Sequence, residues 1–147
     1  LFRSPFLRFI LMSVGAFPVN RQRLDKGTLR RAEEALTQGF PLVMFPESTR
    51  SKNNQLQPAF PGAAMIAARS GVLIVPIGIT GTERMKGAGW WLTRPRLTVN
   101  IGVPFHLPSV NSKLTRTGLT EYTDIIMRQV ASILPVKYQG VYASQGD

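Results

Sequence analysis

An α/β fold of three layers, with a mainly parallel sheet flanked by helices, is predicted by three features of this 147-residue sequence. Leu42, Val43, Met44 and Phe45 form an uninterrupted apolar run, the pattern of a strand covered on both faces. Val72 to Ile79 reads as a second buried strand, with Pro76 near its end. Gly62 to Ser70, closed by Gly71, fits a short helix between them, so that strand, helix and strand alternate. The length suits one compact domain, since a chain of this size buries roughly two-thirds of its unfolded surface. Hydrophobic residues make up 44% and charged residues 18%, which sets the chain apart from disordered sequences.

The flanking elements follow from the same periodicities. Pro5 to Val14 reads as a helix with Phe6, Leu7, Ile10, Leu11 and Val14 along one side, an unusually apolar surface for an exposed helix. Gly15 and Pro18 bracket a short extended piece that leads into Asn20 and Arg21. Asp25 is a candidate N-cap for a helix carrying Leu29, Ala32 and Leu36 at helical spacing, with Gly39 placed to end it. Leu97, Val99 and Ile101 alternate with Arg96, Thr98 and Asn100, as in a strand near a sheet edge with one wetter face. The last helix is expected over Thr120 to Leu134, with Tyr122, Ile126, Val130 and Ile133 on one face and Pro135 stopping it.

Eighteen Lys and Arg face 8 Asp and Glu, a formal net charge of +10, so an anionic partner is expected. Nucleic acid, an anionic membrane surface, a phosphorylated small molecule and an acidic carrier protein all satisfy charge alone. Cysteine is absent, which removes disulfides, thiolate nucleophiles and Cys-based metal sites. No His or carboxylate cluster is evident either, so no metal is expected. No stretch approaches the twenty or so apolar residues that a spanning helix requires.

The polar segment from Pro46 to Phe60 has neither helical nor strand period, and loops of that length inside a compact domain are often functional. It begins where the Leu42–Phe45 strand ends, and open α/β sheets bind ligands just beyond the carboxyl ends of their strands. Pro46-Glu47-Ser48-Thr49-Arg50-Ser51-Lys52 supplies hydroxyls, an arginine fork and a lysine, the donors that suit a phosphate or carboxylate. No glycine-rich run precedes the lysine, so it is not a Walker A loop. On composition alone a solvated polar turn accounts for the segment equally well.

Phe45 to Ser51 resembles the hallmark Phe-Pro-Glu-Gly-Thr-Arg-Ser block of the glycerol-3-phosphate and lysophosphatidate acyltransferase family at six of seven positions. Gly15-Ala16-Phe17-Pro18-Val19-Asn20-Arg21 is similar to that family's preceding block, and Val75-Pro76-Ile77 to a following one. Leu1 to Leu11, Ile101 to Pro108 and Leu134 to Tyr142 also resemble family sequence. The resemblance implies a glycerolipid-acyltransferase-like fold. It implies transfer of a fatty acyl group, from acyl-CoA or acyl carrier protein, to lysophosphatidic acid, giving phosphatidic acid.

By the same resemblance Arg21 and Arg50 bind the acceptor's phosphate, Thr49 and Ser51 add hydrogen bonds, and Glu47 organises the pocket. Ion pairing of Glu47 with Arg50 is compatible with that role. Two guanidinium groups give a dianionic phosphate charge-assisted, bidentate bonds that a lone lysine cannot reproduce. Ser48 stands where the family has glycine. If the position needs a positive φ, the serine carries roughly 1 kcal/mol of strain. Val75, Pro76 and Ile77 would shape the acyl side of the site, although core packing alone explains apolar residues on a buried strand.

One departure concerns the base. The family carries a histidine, followed five residues later by an aspartate, upstream of the arginine block, and that histidine takes the proton of the acceptor hydroxyl. The histidine of this chain is His106, with Asn111 five residues on and Pro108 between, and it reads as a structural surface residue. The Leu1 start and the family-like residues that follow it imply a chain beginning downstream of the missing block. Residues 1–147 are therefore expected to form a single, N-terminally incomplete acyltransferase domain, inactive by itself, with no cofactor beyond its acyl donor.

Arg3 and Arg8 beside the apolar residues of the first helix suit a headgroup interface, as do Trp90 and Trp91 among Arg84, Lys86, Arg94 and Arg96. The expected location is peripheral, on the cytoplasmic face of a membrane. Packing of the two tryptophans in a core or loop is the other reading. A non-catalytic phospholipid- or nucleic-acid-binding module is the alternative function. Zinc spacing, an RNA-recognition aromatic signature and a glycine-flanked KH loop are all absent, so no nucleic-acid partner is expected.

Overall fold

The computed structural model describes residues 9, 26–49, 51–85, 89, 92, 94–108 and 114–143. The expected first helix lies outside these apart from Phe9, whose side chain is exposed. Asp25, Trp90 and Trp91 also lie outside them.

Helix α1 spans Lys26–Thr37. It ends as Gly39 predicts. Gly39 takes φ 82°, its N–H donates to Leu36 C=O at 3.0 Å, and Phe40 N–H reaches back to Ala35 C=O at 3.0 Å. That pair of bonds satisfies carbonyls the last turn would otherwise leave open. Helix α2 spans Gly62–Ser70 and stops at Gly71, φ 62°, whose N–H donates to Ala67 C=O. Helix α3 spans Arg116–Ser132, starting four residues earlier than the apolar spacing suggests. The cause is Thr115, whose side chain accepts a bond from Gly118 N–H at 3.1 Å and so caps the first turn. Beyond Pro135 come a single helical turn, α4 at Val136–Gln139, and a 3₁₀ turn at Gly140–Tyr142.

The core sits between α2 and α3. Ala64 is fully buried against Tyr122 and Ile126, and Ala68, Ile74, Phe105, Leu107, Leu114 and Ile125 pack around them. Alanines on α2 let the larger side chains of α3 approach closely. Tyr122 keeps its hydroxyl satisfied by donating to Pro108 C=O at 2.7 Å. Ile74 and Phe105 form an antiparallel bridge through two backbone bonds of 2.8 and 2.9 Å.

The sheet differs from the expectation. Strands β1 (Ile77–Thr80) and β2 (Thr98–Ile101) pair antiparallel, with Ile77 opposite Ile101 and Ile79 opposite Val99. Among the described residues this is a two-stranded sheet, and no parallel pairing is formed. The Leu42–Phe45 run is not a strand, with Val43 and Phe45 77% and 75% exposed. A strand exists by exchanging N–H and C=O groups with a neighbour. An apolar run supplies the side chains for that role but cannot supply the partner.

Burial within the sheet is also the reverse of the pattern read from sequence. Pro76, Gly78 and Thr80 are buried, whereas Leu73, Val75, Ile77 and Ile79 are exposed, as are Leu97, Val99, Ile101 and Val103 on the partner segment. Small residues explain which face is covered. A Cβ added to Gly78 would lie 2.6 Å from Leu134 Cδ2, and one on Gly102 would lie 2.8 Å from Pro76 Cγ and 3.1 Å from Ile133 Cγ2. The C-terminal end of α3 thus seats on the glycine side, and the β-branched side faces out. Gly78→Ala is expected to lower stability by about 1–3 kcal/mol through overpacking against Leu134, measured by urea denaturation. An unchanged midpoint would be inconsistent with this seating.

Candidate functional site

The Pro46–Phe60 segment is a closed loop. Phe60 N–H donates to Pro46 C=O at 2.9 Å, bringing its two ends together just before α2 begins. Compact loops with neighbouring ends are held by their own polar groups. Here Ser51 Oγ donates to Asn53 Oδ1 at 2.9 Å and accepts from Gln55 N–H at 3.0 Å. Gln57 Nε2 donates to the same Asn53 oxygen at 2.8 Å and to Gln55 C=O at 3.0 Å. Asn54, at φ 61°, makes the bend, a conformation asparagine tolerates.

The loop opens with a turn in which Ser48 N–H donates to Phe45 C=O at 3.0 Å. Ser48 takes φ 54°, the left-handed region that favours glycine. The conditional expectation for this position is therefore met, and the serine carries the strain that a glycine would avoid.

Glu47 is half-buried, and its Oε2 accepts from Gln57 N–H at 2.6 Å. Burial pushes its carboxyl above the ordinary carboxylate range, and the Gln57 N–H, which favours the charged form, pulls partly the other way. Glu47 thereby ties the first residues of the loop to its returning arm. Its hydrogen-bond partner is thus ten residues away in sequence.

Of the other site residues expected from sequence, Thr49 is exposed and Ser51 is half-buried within the loop's hydrogen-bond network. The loop brings Glu47, Ser48, Thr49 and Ser51 together. Arg21 and Arg50 lie outside the described residues. The Val75, Pro76 and Ile77 trio is divided: Pro76 faces inward and takes Gly102 N–H on its carbonyl at 2.9 Å, while Val75 and Ile77 lie on the exposed apolar face. Core packing, the plain explanation for an apolar strand, therefore accounts for Pro76 but not for its two neighbours. His106 is exposed and directly follows the bridged Phe105. Among the described residues no group of three His, Cys, Asp or Glu side chains is placed to hold a metal ion.

Sequence reasoning passed over the groups that hold the loop from outside. Leu56 N–H donates to Tyr138 C=O at 2.8 Å, and Ala59 N–H donates to Tyr142 Oη at 3.0 Å. The signal was present in the glycine between two tyrosines, Tyr138-Gln139-Gly140-Val141-Tyr142, which has no helical or strand period to justify it.

The turn built on Glu47 and the left-handed Ser48 thus follows an apolar run and leads into a closed polar loop. A protein-family profile described as Acyltransferase matches residues 1–80, and the chain belongs to the acyltransferase family. It is similar to the chloroplastic 1-acyl-sn-glycerol-3-phosphate acyltransferase of Brassica napus, 35% identical over 60% of this chain and 26% of the relative. The Arabidopsis thaliana chloroplastic enzyme of the same name is 33% identical over 72% of this chain and 31% of its own length. The Streptococcus pneumoniae 1-acyl-sn-glycerol-3-phosphate acyltransferase is 28% identical over 81% of this chain and 42% of its own. The chain thus spans well under half the length of these relatives. No solved structure matches it.

Two substitutions separate charge from hydrogen bonding at Glu47. Glu47→Ala leaves Gln57 N–H without its acceptor and is expected to cost about 1 kcal/mol, whereas Glu47→Gln retains an acceptor and removes the half-buried charge. Because the folded carboxyl titrates above its unfolded value, the native state holds the proton more tightly than the unfolded state. The contribution of Glu47 to stability therefore falls as pH rises from the unfolded to the folded carboxyl pKa, and the loss persists above that window. Glu47→Gln flattens this part of the curve. Urea midpoints measured across the carboxylate range check both expectations, and identical pH profiles for wild type and Glu47→Gln would contradict the burial of this charge.

Proposed function

We propose that this chain carries the acceptor site of a 1-acylglycerol-3-phosphate O-acyltransferase. In that reaction the free hydroxyl of lysophosphatidic acid attacks the carbonyl carbon of an acyl thioester on coenzyme A or acyl carrier protein. A C–O bond forms, the C–S bond breaks with its electron pair going to sulfur, and the hydroxyl proton passes to a general base and from it to the departing thiolate, which leaves as the thiol. The product is phosphatidic acid, a step of phospholipid biosynthesis.

The observation that carries this reading is the left-handed Ser48 in the turn beside Glu47. It puts a left-handed backbone, the kind that favours glycine, at the one position of the block where the chain has serine in place of the family's glycine. Relatives named for this activity support the reading from a separate direction.

In this proposal Arg21 and Arg50 bind the acceptor phosphate. Thr49 and Ser51 add neutral donors, Ser51 by turning its hydroxyl away from Asn53. Val75 and Ile77 take the acyl side, from the open apolar face on which they lie. The base is assigned to no residue here, because a thioester waits unattacked until a group within hydrogen-bond reach takes the hydroxyl proton. By itself the 147-residue protein is expected to bind acceptor without turning it over. Peripheral attachment to the cytoplasmic face of an anionic membrane fits the +10 charge. No helix among the described residues is long and apolar enough to cross a membrane.

Arg50→Ala is the decisive substitution. Loss of a bidentate, charge-assisted contact is expected to weaken binding of short-chain lysophosphatidate about tenfold or more, read by calorimetry below the lipid's micelle concentration. Equal affinity in wild type and Arg50→Ala would remove Arg50 from the site. Tight, Arg50-independent binding of nucleic acid at physiological salt would favour a nucleic-acid-binding module instead.

A further inference from the structure

We infer that the C-terminal turn, residues 135–142, is the positioning element of the acceptor loop, with Tyr142 the positioning residue that holds the loop's returning arm against Glu47. The inference rests on the reading of residues 46–51 as the acceptor's phosphate loop and extends it to a segment that lies some eighty residues away in sequence.

Three contacts join the turn to the arm. Tyr138 C=O takes Leu56 N–H at 2.8 Å and Tyr142 Oη takes Ala59 N–H at 3.0 Å. Between them Gly140 lies so close to the arm that a Cβ there would stand 2.3 Å from Leu56 C=O and 3.0 Å from Leu56 N. Its φ of 55° with ψ of −128° is a backbone conformation open essentially to glycine. Glycine is therefore required twice over, by the space and by the backbone.

Of the two residues between the bonded amides, Gln57 is the one that matters to the site. Leu56 and Ala59 N–H groups point to the turn, while Gln57 N–H points to Glu47 Oε2 at 2.6 Å. The arm is thus clamped from both sides, and its height above Glu47 is set by the turn. Tyr142 suits this task because it is held as a neutral acceptor. Burial raises the phenol pKa, Ala59 N–H works against the rise, and the negative charges of Asp124 and Glu47 add to it.

The clamp has a firm base. Gln139 Nε2 donates to Leu134 C=O at 2.9 Å, fixing the turn to the end of α3, and Tyr138 N–H donates to Pro135 C=O at 2.8 Å within the turn itself. The Tyr138 hydroxyl donates to Glu83 Oε1 at 2.7 Å, and the Lys137 ammonium sits 4.9 Å from the Tyr138 ring centre. A turn anchored on the core helix can transmit position to a loop. A turn hanging on the loop alone could not.

The test compares wild type, Tyr142→Phe, Gly140→Ala and Tyr138→Phe in the 147-residue protein. Amide hydrogen exchange at Ala59 and Gln57, the NMR titration of the Glu47 carboxyl and the affinity for short-chain lysophosphatidate are measured for each. In Tyr142→Phe, exchange at both amides is expected to rise about tenfold and acceptor affinity to fall about five- to tenfold. Its Glu47 titration is expected to move toward the ordinary carboxylate value. Gly140→Ala, which pushes the same turn off Leu56 with the hydrogen-bonding side chains retained, should act in the same direction. Tyr138→Phe keeps the carbonyl bond to Leu56 but gives up the Glu83 bond of the base, and should lower affinity less than Tyr142→Phe.

Unchanged exchange at Gln57 and an unmoved Glu47 titration in both Tyr142→Phe and Gly140→Ala would overturn the inference. So would wild-type affinity in those two variants. If wild type itself binds no lysophosphatidate, the acceptor-site reading fails, and the positioning of Glu47 then stands or falls on the exchange and titration data.

Discussion

The seating of α3 is the contact on which the other placements depend. Tyr122 and Ile126 of this helix fill the core against Ala64 of α2, and Ile133 and Leu134 at its end lie over Gly78 and Gly102 of the sheet. Pro135 then stops the helix, and the residues that follow reach the polar loop through Tyr138, Gly140 and Tyr142. One helix therefore sets the core, the covered face of the sheet and the far wall of the candidate site. Packing of this kind transmits displacement because interiors are close-packed and yield little.

That seating has a consequence for the opposite face of the sheet. Glycines on the α3 side leave the β-branched residues on the other, and Val75, Ile77, Ile79, Val99, Ile101 and Val103 stand in the open, Ile101 at 69% exposure. Cross-strand pairing brings Ile77 to Ile101 and Ile79 to Val99, so the exposed residues form a patch rather than isolated side chains. Contiguous apolar patches on proteins mark places where something apolar is met. The acyl side proposed for Val75 and Ile77 draws on this property.

The helices were legible in the sequence because helical signals are local. The Gly62–Ser70 element agrees with its expectation to the residue, and Gly39 and Gly71 both adopt the left-handed conformation that a terminal glycine supplies. The loop was legible as a loop, because polarity without period leaves little else. The sheet was not. Alternation of Leu97, Val99 and Ile101 with polar residues announces a strand, but which face is covered depends on where α3 can approach, and that is decided by Gly78 and Gly102 on two different strands or their ends. The clamp on the loop was equally hidden, since Ala59 and Tyr142 are 83 residues apart and a backbone N–H has no sequence signature.

What the sequence determined by itself is the family block from Phe45 to Ser51, the helical segments with their glycine ends and the chemistry of the loop. These are properties of residue type at short spacing, and short spacing is what backbone dihedrals and turn chemistry respond to. Tertiary structure alone decided the antiparallel pairing of Ile77–Thr80 with Thr98–Ile101, the outward turn of the β-branched face and the partner of Glu47. Pairing, burial and the matching of a carboxylate to an amide all depend on what stands opposite in space. No residue carries that information in its own identity.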